Sequence, residues 1–89
     1  MAFDKKTITV YAGSNVIINF ENRDSVNHNF ALYLNTGAPE PPIFRGQTIG
    51  QGSTTYRFLA PVAPGIYFFR CDVHPPTMTG MFVVIGTVS

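Results

Sequence analysis

Apolar and polar residues alternate with a period of two along most of the chain, the mark of half-buried strands. Ile8 and Val10 alternate with Thr7, Thr9 and Tyr11. After the turn signal Ala12-Gly13-Ser14-Asn15, Val16, Ile18 and Phe20 alternate with Ile17, Asn19 and Glu21. Asn22-Arg23-Asp24-Ser25 breaks the run, and Val26, His28, Phe30, Leu32 and Leu34 define the apolar face of a third strand. Asn35 to Gly52 is rich in Gly and Pro and reads as a long irregular connection. Tyr56 and Phe58 share a face of the next strand, with Thr55 and Arg57 opposite. A corner at Ala60-Pro61-Val62-Ala63-Pro64-Gly65 leads into a strand with Tyr67, Phe69 and Cys71 on one face. The last strand starts near Gly80 and turns Phe82 and Val84 to one side. Helical stripes, repeats and low-complexity tracts are missing. Short alternating strands with Pro/Gly corners predict an all-β, antiparallel Greek-key sandwich of about seven strands, with little or no helix.

At 89 residues the chain is expected to form one domain over 1–89, near the lower size limit for a self-sufficient core. An apolar fraction of 45% is ample for that core and argues against disorder. The net charge of +1 comes from scattered residues, Lys5, Lys6, Arg23, Arg45, Arg57 and Arg70. With no basic stripe, nucleic acid is not an expected partner. No apolar run approaches the roughly 20 residues of a membrane-spanning helix, so membrane insertion is not expected. A single cysteine excludes an intrachain disulfide. Met1-Ala2-Phe3-Asp4-Lys5-Lys6 lacks the character of a signal peptide.

The segment Cys71-Asp72-Val73-His74-Pro75-Pro76-Thr77-Met78 carries a thiol, an imidazole and a thioether in one loop between two strands. His28 adds a second imidazole from a core-facing position far upstream. Two imidazoles, a thiolate and a weak thioether are the donor set of a mononuclear type 1, blue-copper electron-transfer site. Two residues between Cys71 and His74 let the chain turn so that both reach one ion. Pro75 and Pro76 stiffen the second half of the loop by fixing φ and removing amide donors. A buried neutral imidazole without a partner costs about 1–3 kcal/mol, which metal coordination offsets.

The words Val26-Asn27-His28-Asn29-Phe30, Pro64 to His74 and Met78-Thr79-Gly80-Met81-Phe82-Val83-Val84 resemble the cupredoxin family, its plastocyanin and amicyanin branches in particular. The resemblance implies one copper held by His28, Cys71, His74 and Met78, cycling between Cu(I) and Cu(II), in a protein that is not an enzyme. It implies that Asn29 steadies the copper loop and that a backbone N–H nearby donates to the cysteine sulfur. Met78, two residues before Gly80, takes the axial place in the family frame, and Met81 falls opposite the core face. The resemblance also implies redox partner proteins docking near His74, whose ring edge reaches solvent inside an apolar patch. Pro39, Pro41, Pro42, Ile43 and Phe44 with Pro75 and Pro76 are candidates for that patch. A monomer is expected, working in a periplasmic, thylakoid-lumen or extracellular space, with a signal or anchor on the natural precursor. The sequence departs from the family in its consecutive prolines, its three-residue gap between His74 and Met78 and its lack of an acidic patch.

Other readings compete. Cys71 alone would be a small buried hydrophobe, and Met78 core filler. Tyr67 is expected to be a corner tyrosine bonded to backbone rather than an electron-path aromatic. Asp72 is expected to be solvent-exposed. A structural zinc site wants four strong donors where three are present. A dinuclear copper centre needs a second cysteine, and cysteine catalysis needs an exposed, activated thiolate. A copper carrier or sensor, a metal-free assembly module, or a domain cut from a larger copper or membrane protein would carry similar sequences.

Overall fold

The computed structural model describes residues 3–37, 41–74 and 77–86. Seven strands and no helix are present among these residues. They are β1 (Thr7–Tyr11), β2 (Asn15–Asn22), β3 (Ala31–Tyr33), β4 (Phe44–Arg45), β5 (Gly52–Leu59), β6 (Gly65–Arg70) and β7 (Thr79–Ile85). One sheet has the order β1-β7-β6-β3-β4, and β2 and β5 form the other. The seven-strand all-β expectation therefore holds. One pairing within it, β1 with β7, is parallel. Alternation of side chains is the same in either direction, so periodicity does not report strand polarity.

The inner faces are those the alternation marks. Val16, Phe20 and Tyr56 from the small sheet pack on Phe30, Leu32, Tyr67, Phe69, Phe82 and Val84. Phe30 lies at the centre, its ring 5.2 Å from that of Phe69 and 6.0 Å from that of Phe58. Each such aromatic, fully buried, contributes about 1.5–3 kcal/mol. Phe44, a sequence candidate for the surface patch, instead stacks on Phe58 at 4.5 Å and so belongs to the core edge.

The third strand is shorter than its alternation suggests. Val26 and Leu34 are 38% and 58% exposed, and only Ala31–Tyr33 pair as a strand. All three of those residues are fully buried, because both faces of β3 are covered. On the outer face Tyr33 lies beneath the Arg70 guanidinium, 4.4 Å from the ring centre. The connection from Asn35 to Gly52 is irregular as expected, but its second half is firmly held. Gly46 N–H donates to Phe30 O at 2.9 Å, and His28 and Ile49 exchange two backbone hydrogen bonds at 3.0 and 2.9 Å.

Gly80 is required where β7 begins. A Cβ there would run into the Phe69 ring and sit 2.8 Å from the Lys6 carbonyl oxygen. The missing side chain lets β1, β6 and β7 close together directly beneath the Cys71–Met78 loop.

Candidate metal centre

Cys71 follows β6 and Met78 precedes β7, so the loop between them caps two adjacent antiparallel strands. Its ends are tied by Cys71 N–H donating to Met78 O at 2.9 Å. Within it, His74 N–H donates to Cys71 O at 3.3 Å, and Thr77 and Met78 N–H both donate to His74 O, at 3.2 and 3.1 Å. These overlapping turns fold the loop back on itself and bring residues 71, 74 and 78 to one end of the sandwich. Pro75 and Pro76, expected to stiffen the loop, and Pro39 lie outside the described residues.

His28 comes to the same end from the other side. Its Nδ1 is 3.7 Å from Cys71 Sγ, and the two residues are 2% and 0% exposed. Donors at that separation, if bonded at about 2.0 Å (N) and 2.3 Å (S) to one ion, would subtend roughly 119° at it, close to a trigonal arrangement. Met78 is buried at 5% exposure, whereas Met81 is 49% exposed on the opposite side of β7. The His74 ring stands 4.9 Å from that of His28, tilted by 51°. Its Nε2 is buried and has no hydrogen-bond partner among the described residues. The ring edge expected at the surface is therefore turned inward here, although His74 as a residue is only half-buried. Among the described residues no three His, Cys, Asp or Glu side chains converge on one point. The closed pair is His28 with Cys71, and His74 stands beside His28 with its nitrogen unsatisfied.

The chemistry of the four side chains nevertheless fits a soft, redox-active ion. A buried unsatisfied ring nitrogen costs about 1–3 kcal/mol, and a metal would relieve it. Three strong donors fall short of a structural zinc set, and a buried thiol is poorly placed for nucleophilic catalysis.

Asn29 ties the two halves together. Its backbone N–H donates to Cys71 Sγ at 3.4 Å. Its Oδ1 accepts from Asp72 N–H at 2.8 Å, and its Nδ2 donates to Asp72 Oδ2 at 2.9 Å and to Gly46 O at 3.0 Å. Asp72, expected at the surface, is instead a hub with 22% side-chain exposure. Its carboxylate also accepts from Tyr33 Oη and from Arg70 Nε at 3.1 Å, and it pairs with Arg45 Nε at 3.3 Å. Burial pushes the Asp72 carboxyl up, but the donors Tyr33, Asn29 and Arg70 and the Arg45 charge outweigh it and hold it below the usual carboxylate range.

Two further residues escaped the sequence reading. His28 Nε2 is 2.8 Å from Asp24 Oδ2. Asn22, which the sequence marks only as part of a break, is 3% exposed and accepts the Asp24 N–H at 2.9 Å. The only sequence trace of the first contact is the Asp-x-x-x-His spacing, which many loops share. Tyr67 behaves as expected of a corner tyrosine, its hydroxyl donating to Ala63 O at 2.6 Å.

Comparison with known proteins bears on this geometry. The model of the cupredoxin-like domain matches residues 1–84. Among solved structures, auracyanin A, a "blue" copper protein from the green thermophilic photosynthetic bacterium Chloroflexus aurantiacus, is 30% identical with a TM-score of 0.82. That alignment covers 94% of this chain and 89% of auracyanin A. Amicyanin from Paracoccus versutus is 26% identical with a TM-score of 0.65, covering 96% of this chain and 74% of the amicyanin. A copper-containing nitrite reductase from Thermus scotoductus SA-01 is 26% identical with a TM-score of 0.64. That alignment covers 98% of this chain but 21% of the reductase. A search of curated protein sequences finds no match. With a matching model over nearly its whole length and a blue copper protein aligned over 94% of it at 30% identity, the chain belongs to the family of cupredoxin-like domains.

Proposed function

We propose that this domain is a one-electron carrier that holds a single type 1 copper with His28, Cys71, His74 and Met78. The observation that carries the reading is the buried Cys71 sulfur, facing His28 Nδ1 at 3.7 Å while accepting a hydrogen bond from Asn29 N–H. Copper bound there supplies a couple between Cu(I) and Cu(II) that suits soft sulfur and imidazole donors together. The chain's own part is to keep the donors still. Cys71 and Met78 are tied by a backbone hydrogen bond, and His28 is fixed by its two bonds to Ile49. The Asn29 N–H withdraws charge from the thiolate. Rigid donors leave little to rearrange when an electron arrives or departs.

Of the four, His74 is the residue that is only half-buried, so the shortest way out for an electron runs past it. Redox partner proteins docking around His74, with exposed Val73 as its chain neighbour, belong to this reading. So do a monomeric state and a periplasmic or extracellular place of work. Among the described residues no helix is long and apolar enough to cross a membrane.

The test is a visible spectrum of the reduced protein on addition of one equivalent of Cu(II). An intense blue or green band that disappears with ascorbate and is missing in Cys71→Ser is expected. Absence of any charge-transfer band at one copper per chain would remove the proposal. A second reading, favoured by the alignment with one fifth of a copper nitrite reductase, is a relay domain within a larger copper enzyme. It shares the donor set and differs in delivering electrons to a site on the same polypeptide.

A further inference from the structure

We infer that Asp24 is a positioning residue for the copper site, setting the tautomer and the donor strength of His28 and thereby lowering the reduction potential. The inference rests on the copper reading and adds a residue to it.

The His28 side chain is 3% exposed and uses its two ring nitrogens differently. Nε2 lies 2.8 Å from Asp24 Oδ2, and Nδ1 faces Cys71 Sγ. A carboxylate only accepts, so Nε2 must carry the proton and donate. Nδ1 is then left with its lone pair on the side of the Cys71 sulfur, where it would bind copper. A carboxylate behind a coordinating imidazole fixes the ring and raises the basicity of the coordinating nitrogen. A more basic nitrogen and a nearby negative charge both favour Cu(II) over Cu(I).

The carboxylate does not reach this place by chance of a mobile loop. Asn22 Nδ2 donates to Val26 O at 2.9 Å and to Ile49 O at 3.1 Å, pinning the turn 22–26 against the segment that pairs with His28. Its Oδ1 takes the Asp24 N–H. The Asn22 amide thus joins both ends of the turn to the same strip of backbone that holds the histidine.

Asp24 is 48% exposed on its side chain, at the wall of an open cleft that also has His28 and Met78 in its lining. Water screening therefore places its effect at the lower end of the 10–100-fold range typical of partners behind metal-bound histidines. Asp24→Asn keeps the size and an acceptor oxygen but removes the charge. It should weaken the preference for Cu(II) over Cu(I) about tenfold, which for a one-electron couple raises the potential by about 59 mV.

The experiment is a redox titration of the copper-loaded full chain as wild type, Asp24→Asn and Asp24→Glu, each checked for one copper and its visible band. The expected result is a higher potential in Asp24→Asn with the band retained, and recovery of most of the shift in Asp24→Glu. An Asp24→Asn protein that keeps its band and whose potential differs by less than a twofold change in the Cu(II)/Cu(I) preference would overturn the inference alone. A wild-type protein without a copper–thiolate band would overturn the copper reading and this inference with it.

Discussion

Replacing Asp72 with alanine removes one carboxylate from beneath Tyr33, Asn29, Arg45 and Arg70 at once. Arg70 is 18% exposed on its side chain and Asp72 22%, so the two charges meet in surroundings much drier than the surface. Breaking a fully buried pair by removing one partner costs about 3–5 kcal/mol, because the remaining charge and donors keep their desolvation. Partial exposure at Asp72 and water able to reach Arg45, at 49% exposure, reduce this to about 2–3 kcal/mol. For a domain of this size about 1 kcal/mol corresponds to roughly 4–8 °C in Tm, so a fall of roughly 10–20 °C is expected. The assay is thermal unfolding followed by circular dichroism on reduced, metal-free protein, since bound metal would add stability of its own. Glu21→Ala is the control. Its ion pair with Arg23 has a similar short distance, 2.7 Å, but side-chain exposures of 86% and 57%, and should change Tm by only a few degrees. A fall of less than roughly 4 °C in Asp72→Ala, or an equal fall in Glu21→Ala, would refute the claim that burial gives the Asp72 cluster its weight.

Gly80→Ala should destabilise by about 1–3 kcal/mol in urea unfolding, since the new methyl meets the Lys6 carbonyl and the Phe69 ring where three strands close. An unchanged midpoint would show that β1 moves aside freely. Tyr67→Phe should lose about 1–2 kcal/mol, because it deletes the 2.6 Å bond to Ala63 O. Chemical denaturation of the metal-free protein checks it, and a loss under about 0.5 kcal/mol would mean that water replaces the hydroxyl.

The correspondence between sequence and structure is uneven for physical reasons. The inner faces of β2, β5, β6 and β7 follow the alternation residue by residue, because one-sided burial of a strand imposes period two. β3 fails the rule at Ala31 and Tyr33, whose outer face is roofed by Arg70 and Asp72. That roof depends on side chains from β6 and the loop beyond it, which local pattern does not register. Val26 and Leu34 are apolar by pattern yet exposed, since no neighbouring strand extends far enough to cover them.

By itself the sequence determined the kinds of donor, their confinement to one loop and one upstream position, and the alternating faces that make a sandwich. These depend on residue type and on spacing along the chain, both local. Only the tertiary structure decided what stands behind the donors. Asn29 meets Asp72 and Cys71 across more than forty residues, as does His28 with Cys71. Asp24 faces His28 Nε2 from a turn that Asn22 ties to a segment 27 residues further along. Such contacts arise from how the two sheets and their loops close in space. Asp72, beside two arginines in that closure, became a half-buried hub, although its neighbours in sequence mark it for the surface.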